Sequence, residues 1–262
     1  MALRHKLGWD PHFVRRSAWF WPLAAAAGRF AVCADWPSRA QLAAAYTELA
    51  LPAGAEPLEF VENVRKQDKH AAGKLQLARL YDARITRDRQ VPTRERDWHD
   101  FFNALCFITF PRAKRALHAR QFAILQARVA PDAVRLPAAR TPEQDALTLF
   151  DEGGAVIAAE PAAHRRLSTA AEPELAAVLA ELTQHGSARV VPFGHALFEH
   201  VVEGLRCPGG STQIIQLAAL GGSDAQLLRA LDGELTALLA DPSYFTTPRQ
   251  AAHLRLHTLG LG

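Results

Sequence analysis

The chain has 262 residues, 49% hydrophobic and 22% charged, a balance that excludes a disordered polyelectrolyte and supplies ample apolar surface for a core. Sixteen glycines and 16 prolines exclude collagen-like and low-complexity architectures. The formal net charge of +3 hides an asymmetry: residues 65–140 carry 17 Lys and Arg against 7 Asp and Glu, whereas residues 141–203 carry 3 against 10.

In chain order, Arg15-Arg16 precedes an apolar stretch to Gly28 in the outline of an export signal. Pro22 breaks that stretch, Arg29 closes it, and Trp19, Phe20 and Trp21 crowd its start. Trp9, Trp19, Trp21 and Trp36 all fall in this first segment, and rings of that size bury large areas, so the segment reads as core. Ser38 is the expected cap of a helix through Leu49, stopped by Pro52 and Gly54. Residues Leu58–Val61 read as a short strand, and Lys74–Ile85 fits helical and strand periods about equally. Asp97 caps an apolar helix from Trp98 to Thr109, with Asp100 in capping-box register. Pro111 opens a second helix to about Arg128. Residues 145–150 and 155–158 read as two strands of a hairpin turning at Asp151-Glu152-Gly153-Gly154. A helix from Glu174 to His185, a strand at Arg189–Pro192, a helix from His195 to Glu203, a strand within Gln213–Leu220 and a helix from Ser223 or Asp224 to Ala240 follow. The expected fold is α+β: a mainly helical single domain over 1–262 with a small antiparallel sheet that includes the hairpin near 145–159.

No run approaches the ~20 apolar residues of a spanning helix, so no membrane partner is expected. Cys33, Cys106 and Cys207 are odd in number and without CxxC spacing, which fits a reducing cytoplasm.

His99 and His195 each stand in the first turn of an expected helix, followed four residues later by Asn103 and Glu199. Residues four apart share a helix face and can reach one metal. The positive helix end disfavours imidazolium there, so a ring lone pair stays available. Asp100, Asp145, Asp151 and Glu152 could add oxygens if folding gathers them. The plain alternative is that Asp97 and Asp100 merely start a helix and Asp151 and Glu152 merely decorate a turn. HExxH, GxSxG, P-loop and GxGxxG motifs are all missing from the sequence.

The blocks Val91-Pro92-Thr93-Arg94, Trp98-His99-Asp100-Phe101-Phe102-Asn103-Ala104-Leu105 and Phe110-Pro111-Arg112-Ala113-Lys114 resemble the signature of an uncharacterised bacterial family, domain of unknown function 3025. Asp145-Ala146-Leu147-Thr148-Leu149-Phe150-Asp151-Glu152 and Phe193-Gly194-His195-Ala196-Leu197-Phe198-Glu199 are similar to its later blocks, and the surroundings of Trp36-Pro37 and Phe60-Val61 look alike too. Cys106-Phe107 departs from the Val-Trp expected there, a change of packing rather than chemistry. The resemblance implies no activity. It singles out Trp98, His99, Asp100, Asn103, Arg112, Lys114, Asp145, Asp151, Glu152, His195 and Glu199 as candidate site residues.

Three functions compete. The first is a hydrolase using a divalent metal on an anionic substrate. In it His99, His195 and Glu199 are ligands, Asp100, Asp151 and Glu152 are catalytic carboxylates, and Arg94, Trp98, Asn103, Arg112 and Lys114 meet the substrate. The second is a module for nucleic acid or another polyanion, built on the basic segment that contains Arg65, Lys66, Lys69, Arg89, Arg94 and Arg96; few stacking rings accompany it, and the basic and acidic segments could instead face each other. The third is a non-catalytic protein whose polar blocks form a buried network.

Overall fold

Residues 7–63, 70–71, 74–130, 133–205, 210–250 and 252–254 are described by a computed structural model. The tryptophan-rich start is core: Phe13, Trp19 and Phe20 are buried on two 3-10 turns, Phe13–Arg16 and Ala18–Leu23, followed by helix α1, Ala24–Gly28. Helix α2, Arg39–Leu49, begins at Ser38, which forms a reciprocal capping box with Gln41. Strand β1, Glu59–Val61, precedes a two-residue antiparallel pair, β2 at His70–Ala71 and β3 at Lys74–Leu75. The stretch 74–85, ambiguous by period, divides into β3, a 3-10 turn at Leu77–Arg79, helix α3 at Tyr81–Ala83 and the start of a π turn, Arg84–Asp88. Strand β4, Gln90–Pro92, then lies parallel to β1.

Helix α4, Trp98–Thr109, is capped by the Asp97 carboxylate, which accepts the Asp100 N–H at 3.2 Å. It is buried nearly all round, so its apolar run reflects a central helix rather than a surface one. Trp98 stacks on Trp9 at 5.4 Å and meets Trp36 at 4.8 Å, tying the N-terminal layer to α4. Helix α5, Pro111–Arg128, follows directly with Pro111 at its first position.

Residues 145–150 are not a strand, and no hairpin forms near 145–159. They belong to helix α6, Pro142–Gly153. Thr141 caps it, Pro142 occupies the first turn, and Gln144 completes a capping box. Ala146, Leu147 and Phe150 are its buried apolar positions, at helical spacing. The expected 151–154 turn is the end of that helix and the first residue of strand β5, Gly154–Ala159. Helices α7, Pro161–Thr169, and α8, Glu172–Gln184, lead to strand β6, Ala188–Pro192. Helix α9, His195–Val202, strand β7, Gly210–Gln216, helix α10, Asp224–Ala240, and strand β8, Ala252–Leu254, complete the chain order.

The larger sheet runs β6-β5-β7-β8 and is mixed rather than antiparallel, because β5 pairs antiparallel with β6 and parallel with β7. All six β5 residues are buried. Val156 and Ala158 join a cluster with Phe150 of α6 and Leu231 and Leu235 of α10. Ala155, Ile157 and Ala159 join another with Leu167 of α7 and Leu179 of α8. Helices on both faces explain why β5 shows no polar alternation.

Among the described residues no helix is long and apolar enough to cross a membrane. The basic and acidic segments meet through Arg120–Glu143 at 2.6 Å and Lys114–Asp151. Other basic residues find acids elsewhere: Arg89 meets Glu56, Arg94 meets Asp100, and Arg96 meets Asp35. Arg65, Lys66 and Lys69, offered as part of an anion-binding surface, lie outside the described residues, as does Cys207. Cys33 and Cys106 are free thiols.

Candidate active site

Helices α4 and α9 pack together, and their first turns bring two imidazoles into contact. His99 Nε2 lies 3.0 Å from His195 Nε2. The Glu152 Oε2 atom, from the last turn of α6, is 3.4 Å from His195 Nε2 and 3.9 Å from His99 Nε2. Three side chains from three elements thus present one donor atom each to a shared point, well within a metal's reach.

Glycine makes this meeting possible. A Cβ on Gly194, the residue before His195, would stand 2.4 Å from Gly154 N and 2.5 Å from the Glu152 carbonyl carbon and oxygen. Gly194 N and Phe193 N both donate to Gly154 O, at 2.8 and 2.9 Å. The start of α9 is thereby clamped to the end of α6, and His195 is delivered beside Glu152.

The surrounding polar groups fix the rings. Glu199 does not join His195, its i−4 neighbour. Its Oε2 accepts from His99 Nδ1 at 2.9 Å across the helix pair. That hydrogen bond outweighs partial burial and raises the His99 pKa. Burial holds His195 neutral, well below the ordinary histidine range, although Asp151 opposes the shift. His195 Nδ1 has no hydrogen-bond partner; the nearest carboxylate oxygen is Asp151 Oδ2, 3.9 Å away. Burial raises the Glu152 carboxyl, only partly offset by His99. For Asp151, burial alone would raise the pKa, but the bonded Lys114 ammonium holds it far below the usual range.

Several sequence candidates take other places. Lys114 has no exposed side-chain surface and is bonded to Asp151 over the Phe107 ring, so it is a buried counter-ion rather than a substrate clamp. Arg112 is engaged by Asp232 at 3.1 Å, where it joins α5 to α10, and it does not line the cleft described below. Trp98 belongs to the aromatic core and does not line that cleft. Asp100 accepts from Arg94 three times, from the backbone N at 2.6 Å, Nε at 3.0 Å and Nη2 at 2.8 Å, so both residues are committed to one another. Asn103 donates to Tyr81 Oη at 2.7 Å instead of joining His99.

A cleft of about 740 Å³ opens on the cluster. His99, His195, Asp151 and Glu152 line one part of its wall. Tyr81, His118, Arg128 and Arg140 are further wall residues that sequence reasoning did not single out as site residues. Their sequence carries no spacing signal; they reach the cleft only through tertiary packing.

The family described as Protein of unknown function (DUF3025) matches residues 64–259, most of the chain, and the chain belongs to that family. The Trp36 and Phe60 neighbourhoods lie outside the matched residues. Neither a curated protein nor a solved structure matches.

Proposed function

We propose that this protein is a metal-dependent hydrolase of anionic substrates, with His99 Nε2, His195 Nε2 and Glu152 as the ligands of one divalent cation. The observation that carries the reading is the convergence of those three atoms at 3.0, 3.4 and 3.9 Å. Bonds of ~2.0–2.1 Å place ligand atoms about 3.0–3.4 Å apart in octahedral or tetrahedral sites. Two pairs fall in that range and the third closes with a modest shift of Glu152.

The proton arrangement supports the same reading. His99 Nδ1 faces a carboxylate and carries the hydrogen, so in the neutral ring His99 Nε2 is the lone pair. If His195 Nε2 carried its hydrogen instead, the buried Nδ1 lone pair would face the Asp151 carboxylate. With the hydrogen on Nδ1, His195 faces Asp151 favourably and both Nε2 lone pairs turn to Glu152. A cation at the centre satisfies that arrangement, as does a proton shared between the two Nε2 atoms, and the metal titration below separates the two. Glu199 and Asp151 would then be the carboxylates that orient metal-binding histidines. Glu152, expected from the sequence as a catalytic carboxylate, takes the ligand role expected of Glu199.

A divalent cation supplies a polarised substrate oxygen and a bound water ionising near pH 7. The cleft wall holds three arginines (Arg94, Arg128, Arg140) against four carboxylates (Asp82, Asp100, Asp151, Glu152). A doubly charged ion turns that balance positive, which favours an anionic substrate.

A purely structural polar network is the second reading, favoured by the closed pairs Lys114–Asp151 and Arg94–Asp100. It accounts for the two imidazole nitrogens as an N–H···N hydrogen bond at 3.0 Å, and leaves unexplained only the Glu152 oxygen 3.4 Å from one of them. Cobalt titration followed by visible absorption separates the two. A stoichiometric ligand-field band, lost in His99→Ala and in His195→Ala, is expected. No band in the wild-type protein, or a band that survives both substitutions, would refute the metal site.

A further inference from the structure

The same cleft carries a second polar group, set apart from the proposed ligands. Asn103 is one helical turn beyond His99 on α4, His118 stands on α5, and Tyr81 on α3 lies between them. Asn103 Nδ2 donates to Tyr81 Oη at 2.7 Å. The Tyr81 ring meets the His118 ring edge-on at 5.3 Å, and His118 stacks on Phe107 at 5.6 Å, so the imidazole is held in place. His118 Nδ1 donates to Asp82 Oδ1 at 2.8 Å. These bonds use one amide N–H of Asn103 and the Nδ1–H of His118, and they leave Asn103 Oδ1 and His118 Nε2 buried and without partners. The two residues are 7% and 3% exposed, and both form the cleft wall. Buried acceptors without partners are rare in folded proteins and mark the place of a missing donor.

We propose that Asn103 Oδ1 and His118 Nε2 bind N–H groups of the substrate, so that the protein acts on anionic amides rather than on esters or bare phosphates. The inference rests on the hydrolase reading for the reaction and on Asn103 and His118 for the class of substrate. In the reaction the amide C–N bond breaks and a C–O bond forms from water. The products are a carboxylate and an ammonium group, with both water protons on the leaving nitrogen. That nitrogen bears one N–H in the substrate and three in the product. Two waiting acceptors therefore bond more strongly as the reaction proceeds, which is the condition for accelerating it. An ester has no N–H at this place and leaves both acceptors buried and unpaired, the situation in which polar sites discriminate best.

The test uses the cobalt-loaded full chain and two near-isosteric probes, N-acetylglycine and O-acetylglycolate. The amide is expected to bind at least about tenfold more tightly than the ester. Asn103→Leu and His118→Phe should each lower the preference and together bring it to about threefold or less, with the cobalt titration unchanged. In 15N-histidine-labelled wild-type protein, N-acetylglycine should move the His118 Nε2 resonance and O-acetylglycolate should not; this arm does not depend on either variant folding. Equal binding of the two probes, no binding of the amide, or a preference that survives both substitutions would overturn the proposal. A water bridging the two acceptors would give the first of these outcomes. A cobalt band without amide preference sinks this inference alone. Amide preference with the His118 shift but no cobalt band sinks the metal reading alone.

Discussion

Gly194→Ala tests how the site is assembled without replacing any proposed ligand side chain. The new methyl would stand 2.4 Å from Gly154 N and 2.5 Å from the Glu152 carbonyl, all backbone atoms that cannot rotate away. Ordinary contact begins at 3.4 Å, so the start of α9 must retreat from the end of α6 by about 1 Å. That retreat strains two hydrogen bonds to Gly154 O, worth ~1 kcal/mol each, and adds ~1–3 kcal/mol of overpacking. A loss of about 2–4 kcal/mol is expected, or roughly 4–16 °C in melting temperature for a chain of this size. The same 1 Å would widen the 3.4 Å gap between His195 Nε2 and Glu152, so cobalt affinity should fall with stability. Gly153→Ala is the control, because a Cβ there meets nothing within 4 Å. It should change the melting temperature by only a degree or two, and cobalt binding not at all. Calorimetry with parallel cobalt titration reads both quantities. If Gly194→Ala melts and binds cobalt like the wild type, the clamp between α6 and α9 does not hold His195 in place and the argument fails.

Three further expectations follow from individual groups. Lys114→Met leaves the Asp151 carboxylate buried without its cation and should cost ~3–5 kcal/mol in urea unfolding, with at least half recovered by adding Asp151→Asn; additive losses would disprove the pairing. Glu199→Gln keeps a hydrogen bond to His99 Nδ1 but removes the charge, so cobalt affinity should fall about 10–100-fold while the melting temperature holds; equal affinity would remove Glu199 from the site. Burial pushes the Cys106 thiol up to about 12, so with Cys33 and Cys207 replaced by Ser it should react with a thiol reagent at about pH 8.5 only on unfolding. Its folded pKa lies above the unfolded value, so the associated stability is complete below roughly pH 8.5 and declines toward pH 12, by at most ~1.4 kcal/mol per pH unit. Cys106→Ala should flatten that alkaline decline, and an unchanged pH profile would count against it.

The sequence made local features legible and left tertiary ones hidden. The caps at Ser38, Asp97 and Ser223 mark their helices because capping is a chemistry of four consecutive residues. His99 and His195 stand in matching first-turn positions, but their meeting depends on how α4 packs against α9, which no spacing in the sequence fixes. The misreading of 145–150 as a strand had a local remedy. Thr141-Pro142-Glu143-Gln144 is itself a helix start, and Ala146, Leu147 and Phe150 fall on one helical face. The alternation of Leu147, Thr148 and Leu149 concealed that period. Lys114 could not be recognised as buried from an Arg- and Lys-rich helix start, since its burial depends on Asp151 arriving from another helix. The exchange of roles between Glu152 and Glu199 is hidden for the same reason: an i,i+4 pair shares a face, but which neighbour that face meets is decided by packing.

The charge around the two imidazoles carries the last step. Glu152, Glu199 and Asp151 bring three negative charges, and Lys114 cancels the one on Asp151. Arg94, the cation near Glu199, is held by Asp100. Two uncompensated carboxylates therefore flank two rings, one of which burial keeps neutral. A proton on His99 relieves only one of those charges. A divalent ion relieves both, and it does so at the point where three donor atoms already meet. The helix ends act in opposite directions: the positive N-termini of α4 and α9 discourage ring protonation and oppose any cation, while the Glu152 carboxylate arrives from the negative C-terminal end of α6. Each proposed ligand is thus brought by a helix terminus, and this follows from the order of the helices rather than from any local motif.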